Sequence, residues 1–247
     1  MSYGLLKGKN AIITGARGIA EGIASRYVQE GATVLVISLS ESGKRLVEQG
    51  LAHHWVQADL SNRESLRAAF EKAMDLLDGR IDVLVNCAGV QRRHEVEVFP
   101  MEDWDLVLET NLTAVMELSQ LCGRLMIHQG KGKIVNIASM NSFFGGMRIP
   151  AYAAAKGGIM QLTRSFANAW AGKGININAI APGYIATEMN SALMADPQRS
   201  ASILARIPQG RWGEPEDLAG PAVFLASDLS DYMNGAIVPV DGGYLGM

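Results

Sequence analysis

The segment TGARGIAEG (14–22) follows an apolar run and opens a helical pattern. Its glycines stand at positions 15, 18 and 22, a spacing that matches no standard dinucleotide-binding fingerprint. A strand, a glycine turn and a helix N-terminus in this order still offer free backbone N–H groups to a phosphate. Whether the turn holds such a ligand depends on what the rest of the chain provides.

The composition of the 247-residue chain limits the kinds of protein it can be. Hydrophobic residues make up 48% and aromatic residues only 6%, which is typical of a parallel sheet covered by helices. The formal net charge of -3 indicates no basic surface for nucleic acid, and no apolar run reaches the roughly 18 residues that cross a membrane. Cys87 and Cys122 lack the spacing of metal ligands, which predicts reduced thiols and no metal site. We therefore expect a cytoplasmic protein with a small-molecule substrate and with neither a nucleic-acid nor a membrane partner.

Short apolar runs alternate with helical patterns along the whole chain. Such alternation predicts βαβ units with right-handed crossovers and a mostly parallel sheet. The predicted strands are residues 10–14, 33–38, 54–58, 82–86, 133–139, 175–181 and 236–240. No linker, repeat or low-complexity block divides the chain. We predict a single-domain α/β fold over residues 1–247, a Rossmann-like doubly wound parallel sheet of about seven strands with helices on both faces.

The residues that follow the predicted strands are the best candidates for a binding site, because ligands of such sheets bind outside the carboxyl ends of the strands. These segments read TGARG, SLSES, DLSN, NCAG, SMNS and PGYIAT. They are rich in glycine, hydroxyl and amide groups. This edge of the sheet therefore suits a polar ligand that carries phosphate.

The segment AYAAAKGG (151–158) places Tyr152 and Lys156 four residues apart, on one face of a helix. A free phenol has a pKa of roughly 10, and a neighbouring ammonium group favours its ionised form. Such a pair can move an alcohol proton while a hydride leaves carbon. In isolation the same spacing also describes an ordinary solvent-exposed pair.

Two further polar residues support the catalytic interpretation. Ser139 closes the predicted strand KIVNIAS (133–139), and Asn111 interrupts an apolar helical stretch, where an amide needs a bonding partner. With the motifs in this order from KNAIITG (9–15) to VDGGYLG (240–246), the chain resembles the short-chain dehydrogenase/reductase family.

The resemblance implies a catalytic tetrad. Tyr152 would act as the general acid or base, and Lys156 would lower the pKa of Tyr152 and bind the nicotinamide ribose. Ser139 would orient the substrate, and Asn111 would hold a water that links Lys156 to solvent. The implied reaction is hydride exchange between the nicotinamide and a secondary alcohol or ketone.

The resemblance also implies a cofactor site, in which the glycine turn is one residue shorter than usual and Ala20 replaces the third glycine. The turn is expected to bind all the same, because a helix N-terminus holds phosphate whatever its side chains. The cofactor is NAD or NADP: Ser38 and Arg17 favour NADP slightly, whereas Glu41 reaching back would favour NAD. The implied cofactor-binding residues are Gly15, Arg17, Gly18, Ile19, Ser38, Asp59, Leu60, Asn86, Ala88, Gly89, Tyr152, Lys156, Pro182, Gly183, Ile185 and Thr187.

Within the family, residues 89–99, 136–152, 178–187 and 206–235 resemble dehydrogenases of sugar acids. The predicted substrate-binding residues are Arg92, Asn141, Arg148 and Tyr184, since arginine suits a carboxylate and an amide suits hydroxyl groups.

Several alternatives and expectations stay open at this point. A 3-oxoacyl-carrier-protein reductase, a broad ketone reductase and a non-catalytic dinucleotide sensor are the alternative functions. A substrate lid is expected around residues 187–210. A homotetramer is expected, with a dimer as the alternative, because family members usually pair the helices that carry Asn111 and Tyr152.

Overall fold

Seven apolar segments form strands in the computed structural model, which describes residues 2–247. The strands are β1 (Asn10–Thr14), β2 (Thr33–Ser38), β3 (His54–Gln57), β4 (Val83–Asn86), β5 (Gly132–Ile137), β6 (Ile175–Pro182) and β7 (Ile237–Val240). They build one sheet in the order β3-β2-β1-β4-β5-β6-β7, and every neighbouring pair is parallel. The predicted doubly wound sheet is confirmed, with strand ends displaced by at most two residues.

Helices connect successive strands. They are α1 (Ile19–Gln29), α2 (Ser42–Glu48), α3 (Arg63–Leu76), α4 (Met101–Leu108), α5 (Ala114–Gln129), α6 (Pro150–Trp170), α7 (Ser191–Ala195), α8 (Pro197–Leu204) and α9 (Pro215–Ala226). The side chain of Asn62 caps α3 by accepting from the Ser65 N–H at 2.9 Å. Gly130 ends α5 in the left-handed conformation, as its place after the helical pattern predicts. Within residues 2–247, no helix combines the length and the apolar character needed to span a bilayer.

The sheet is buried on both faces. Alternate residues of one strand enter different hydrophobic clusters, because side chains of a strand point to opposite faces in turn. Ile13 packs in the cluster that includes Ile23 of α1 and Leu218 of α9, while Ile12 packs in the cluster that includes Leu66 of α3 and Leu118 of α5. This two-sided burial explains why the strands read as nearly continuous apolar runs.

Strand order reverses between β1 and β4, and a crevice opens at their carboxyl ends. Thr14, the last residue of β1, accepts hydrogen bonds from the N–H groups of Cys87 and Ala88, each at 3.0 Å. The glycine turn after β1 and the NCAG turn after β4 are therefore held side by side.

A buried polar network ties β4 and β5 to two helices. The Nδ2 atom of Asn86 donates to Ser119 of α5 at 3.0 Å and to Oδ1 of Asn136 at 2.9 Å. The Nδ2 atom of Asn136 in turn donates to Thr163 of α6 at 2.9 Å. All four side chains are buried, so every bond of the network replaces one with water.

We expect Asn136→Ala to lower the free energy of unfolding by about 2–4 kcal/mol, because it leaves the Asn86 amide and the Thr163 hydroxyl short of a partner in a dry interior. Urea unfolding followed by circular dichroism measures the change. Gln49→Ala, at an exposed helix end, is the control and should cost less than about 0.5 kcal/mol. Equal effects of the two substitutions would show that the network does not stabilise the fold.

Candidate active site

Three of the predicted catalytic side chains converge beyond the end of β5. Ser139 lies two residues past the strand, not within it as predicted, and starts a 3-10 turn by accepting from the Asn141 N–H at 3.1 Å. The first turns of α6 carry Tyr152 and Lys156, and the Tyr152 hydroxyl is hydrogen-bonded to Ser139. The Lys156 Nζ atom lies 5.7 Å from the centre of the Tyr152 ring.

Lys156 also holds the elements of the site together. Its ammonium group donates to the carbonyl oxygen of Ile137, the last residue of β5. Its own carbonyl oxygen accepts from the Ser142 hydroxyl at 2.6 Å. Because Lys156 is only 5% exposed, these contacts fix the turn that carries Ser139 against α6.

Burial controls the charge of both Tyr152 and Lys156. It lowers the pKa of Lys156 to about 8 by penalising the ammonium form. It raises the pKa of the Tyr152 phenol above the ordinary value of 10.0, although the hydrogen bond to Ser139 acts in the opposite direction. The sequence-based expectation that Lys156 lowers the pKa of Tyr152 stays a prediction, because the raised pKa reflects chiefly the burial of the phenol. The phenol is neutral at pH 7 and able to donate a proton.

Asn111 lies in a π-helical turn, Glu109–Thr113, between α4 and α5. The Asn111 side chain is fully buried and bonds the backbone of Val90 twice, accepting from the N–H and donating to the carbonyl oxygen, each at 2.8 Å. This contact answers the expectation that a buried amide needs a partner. It fixes the loop after β4 to the helix, whereas the predicted role in holding a water stays a prediction.

The glycine turn and its neighbours fit a dinucleotide. Gly15 and Gly18 adopt positive φ angles of 88° and 56°, and no side chain caps the N-terminus of α1, which starts at Ile19. A Cβ atom on Gly18 would lie 3.0 Å from the methyl carbon of Thr187, and one on Gly15 would lie 3.4 Å from both the Cα atom of Ala88 and the Cβ atom of Ala20. Side chains on these glycines would crowd Thr187, Ala88 and Ala20, so glycine at both positions leaves room for a pyrophosphate at the start of α1.

Other predicted cofactor residues frame the same crevice. The Asp59 carboxylate is oriented by the N–H and the hydroxyl of Ser61, at 2.9 and 2.7 Å, and Leu60 beside it is buried. Gly183, just after Pro182, donates to Val240 at 3.0 Å. Gly89 packs against the Asn111 amide and Ile185 is 3% exposed, whereas the Asn86 amide is bonded within the buried network.

Two of the three residues predicted to decide between NAD and NADP have other partners. The Ser38 hydroxyl donates to the Ser40 carbonyl oxygen and accepts from the indole N–H of Trp55, both at 2.9 Å. Arg17 forms an exposed ion pair of 2.6 Å with Glu188. Neither side chain is free to bind a ribose phosphate without a rearrangement.

A cleft of about 560 Å³ adjoins Ser139 and Tyr152. Asn141 and Tyr184, both predicted to contact substrate, line it. Tyr184 is held by edge-to-face contacts with the rings of Trp212 and Tyr244 at 5.4 and 5.6 Å.

The two predicted substrate arginines lie outside the lining of this cleft. Arg92 donates to Asp103 on α4 at 3.1 Å, and Arg148, at a positive φ of 65°, donates to Glu95 at 3.0 Å. The arginines that line the cleft are Arg93, Arg199 and Arg206, which sequence reasoning did not select. Of these three, only Arg93 has a signal in the sequence, its place next to Arg92. That signal does not show which arginine of the pair faces inward.

The arginines of the cleft are not neutralised. Within residues 2–247, none of them forms an ion pair with a carboxylate. Burial and the proximity of Arg199 lower the pKa of Arg93, and Arg93 lies close enough to favour the ionised form of Tyr152. Arg206 stacks its guanidinium on the Tyr244 ring at 4.5 Å. The cleft beside the catalytic side chains is therefore suited to an anion.

Comparison with known proteins agrees with this geometry. A family model described as enoyl-(acyl carrier protein) reductase matches residues 13–245. The chain is 46% identical to 2-dehydro-3-deoxy-D-gluconate 5-dehydrogenase of Bacillus subtilis, over 97% of this chain and 96% of the relative. It is 40% identical to 5-keto-D-gluconate 5-reductase of Escherichia coli, over 97% and 96% of the two chains. A solved gluconate 5-dehydrogenase from Burkholderia cenocepacia, in complex with NADP and tartrate, has a TM-score of 0.92 at 38% identity, covering 98% of this chain and 97% of that one.

A sheet of this topology with Ser139, Tyr152 and Lys156 beside a dinucleotide crevice defines an oxidoreductase that uses NAD or NADP. The chain belongs to the short-chain dehydrogenase/reductase family, which confirms the resemblance seen in the sequence.

We expect Lys156→Met to stabilise the cofactor-free protein at pH 7. The shift of the Lys156 pKa from 10.5 to about 8 corresponds to roughly 3 kcal/mol of penalty for the buried charge, which the substitution removes together with the bond to Ile137. Urea unfolding of both proteins at several pH values measures the difference.

The difference should depend on pH in one direction. Between pH 8 and 10.5, Lys156 of the unsubstituted protein carries a proton in the unfolded state but not in the folded state. The free energy of unfolding of the unsubstituted protein therefore rises with pH in this range. The difference in the free energy of unfolding between Lys156→Met and the unsubstituted protein is therefore largest below pH 8 and approaches zero towards pH 10.5. A difference that does not change with pH would show that Lys156 stays charged in the fold.

Proposed function

We propose that this protein is a dehydrogenase or reductase of sugar acids, and that it exchanges a hydride between NAD(P) and a secondary alcohol or ketone of the substrate. The observation that carries the proposal is Arg93, a half-buried cation without a carboxylate partner among residues 2–247, in the cleft that holds Ser139 and Tyr152. The relatives whose names refer to gluconate and its keto acids support a carboxylate substrate.

The chain's own residues support acid–base chemistry in that cleft. The cofactor, when bound, supplies or accepts the hydride at C4 of its nicotinamide. The neutral phenol of Tyr152 would donate its proton to the carbonyl oxygen during reduction, and its phenolate form would take the proton of the alcohol during oxidation. Ser139, already bonded to the phenol, would hold the same oxygen. The Lys156 ammonium would stabilise the phenolate that forms, since opposite charges favour the ionised state.

The segment 187–210 would act as the substrate lid. It contains α7 and α8, and its side chains Met189, Leu193, Arg199 and Arg206 form one wall of the cleft. Arg199 and Arg206 are exposed on this wall, so a bound carboxylate would draw the wall towards Arg93.

We further propose that NADP is the preferred cofactor, that the protein acts in the cytoplasm, and that it forms a homotetramer. No carboxylate ends β2, where one would select NAD, and Ser38 stands there instead.

Met116 on α5 is 39% exposed, and Leu112 before it is half-buried, which leaves apolar surface for another copy.

The substrate class is tested with Arg93→Met and the matched variant Arg92→Met. Arg93→Met should raise KM for sugar acids about tenfold to a hundredfold, because a charged hydrogen bond to the carboxylate is lost. It should leave turnover of a small neutral ketone within about twofold. Absorbance of the reduced nicotinamide, with NAD and NADP in parallel, measures both.

Arg92→Met removes the same charge from the neighbouring position, where the side chain is bonded to Asp103 and not to the cleft. It should leave the ratio of the two activities unchanged. If native protein turns over acyl thioesters or simple ketones but no sugar acid, the protein is instead an oxoacyl or broad ketone reductase.

The catalytic role is tested with Tyr152→Phe. We expect turnover to fall at least a hundredfold while binding of the reduced cofactor, followed by its fluorescence, persists. Binding without turnover in the native protein, over a panel of sugar acids, polyols and ketoesters, would indicate a dinucleotide sensor.

A further inference from the structure

Gln91 has a buried polar atom that the fold itself does not satisfy. Its Oε1 is the one buried side-chain oxygen or nitrogen of residues 2–247 that has no hydrogen-bond partner. Buried polar groups are nearly always paired in folded proteins, because an acceptor removed from water without a donor destabilises the fold. An exception next to a cleft points to a donor that arrives with a ligand.

The position of Gln91 relative to the catalytic side chains is fixed. It lines the same cleft as Ser139, Tyr152 and Asn141. Its neighbour Val90 is held by both hydrogen bonds of the buried Asn111 amide. The backbone beside Gln91 is therefore held in place by the fold.

Side chains alternate in direction along the segment 91–94. Arg92 and His94 both bind Asp103, at 3.1 and 2.6 Å, whereas Gln91 and Arg93 both line the cleft. Two positions along an extended chain span about 7 Å. The amide of Gln91 and the guanidinium of Arg93 thus face the cleft from neighbouring places, as groups that bind one small molecule at two points.

The chemistry of the cleft limits what can pair with Gln91. Its oxygen needs a donor, which a carboxylate or a ketone cannot provide. A cationic donor is disfavoured by Arg93, Arg199 and Arg206, which line the same cleft and carry like charge. The remaining donor of a sugar-acid substrate is a neutral hydroxyl group.

We propose that Gln91 is a specificity-determining residue that accepts a hydrogen bond from a hydroxyl group on the carbon chain of the substrate. The inference rests on the proposed function and goes beyond it, because it distinguishes polyhydroxylated acids from acids with a plain methylene chain. A substrate without the hydroxyl leaves the oxygen buried and unpaired in the complex. Sites of this kind reject the analogue that lacks the polar group.

The proposal is tested with Gln91→Met, which keeps an unbranched side chain of similar size and removes the acceptor. We expect kcat/KM for hydroxylated sugar acids to fall about tenfold or more, and kcat/KM for a small neutral ketone to stay within twofold. The melting temperature of the cofactor-free protein should rise by about 2 °C, because the unpaired acceptor is gone. Gln49→Met, at an exposed helix end away from the cleft, should change none of the three.

The outcomes separate this inference from the proposed function. Native protein that turns over no sugar acid overturns the proposed function and the role of Gln91 with it. Sugar-acid turnover that is equally fast in native protein and Gln91→Met overturns only the role of Gln91. An equal fall for sugar acids and for the neutral ketone, with a lower melting temperature, shows that Gln91 supports the fold and reads no hydroxyl.

Discussion

The geometry of the site depends on the hydrogen bonds of one buried residue, Lys156. Its ammonium group binds the carbonyl oxygen at the end of β5, while the backbone of the same residue holds the turn that starts at Ser139. One residue therefore sets the distance between a strand end and the helix α6, which also carries Tyr152. The burial that makes this possible also destabilises the charge, as the lowered pKa shows. The site keeps a cation where the fold alone would prefer a neutral group.

The loop after β4 complements this arrangement from the other side of the cleft. The Asn111 amide fixes its start through Val90, and Asp103 draws Arg92 and His94 outward. Gln91 and Arg93, which alternate with these anchored residues along the chain, face the cleft. Positions that share an alternating pattern thus serve two different purposes: outward side chains anchor the loop, and inward ones present a cation and an acceptor. Neither set would be placed correctly without the other.

The sequence predicted the fold well because its signals are local. Strands buried on both faces read as apolar runs, and glycines such as Gly130 mark helix ends. The four-residue spacing of Tyr152 and Lys156 is also a local signal, and both residues lie in one helix, α6, as predicted. Local signals could not predict which of Arg92 and Arg93 faces the cleft. The outcome depends on the ion pair of Arg92 with Asp103, whose helix lies across the loop.

Other features of the site depend on the tertiary structure in the same way. Arg199 and Arg206 line the cleft only because the segment that contains α7 and α8 packs beside it. The direction of the Tyr152 pKa follows from burial, which spacing does not reveal. At the far edge of the sheet, Ala236 accepts a hydrogen bond from β6 and Val240 accepts one from the residue after β6. The nitrogen of Pro239 therefore points outward, where it offers no N–H donor. The missing donor disfavours the addition of a further strand at this edge, which guards the sheet against edge-to-edge aggregation.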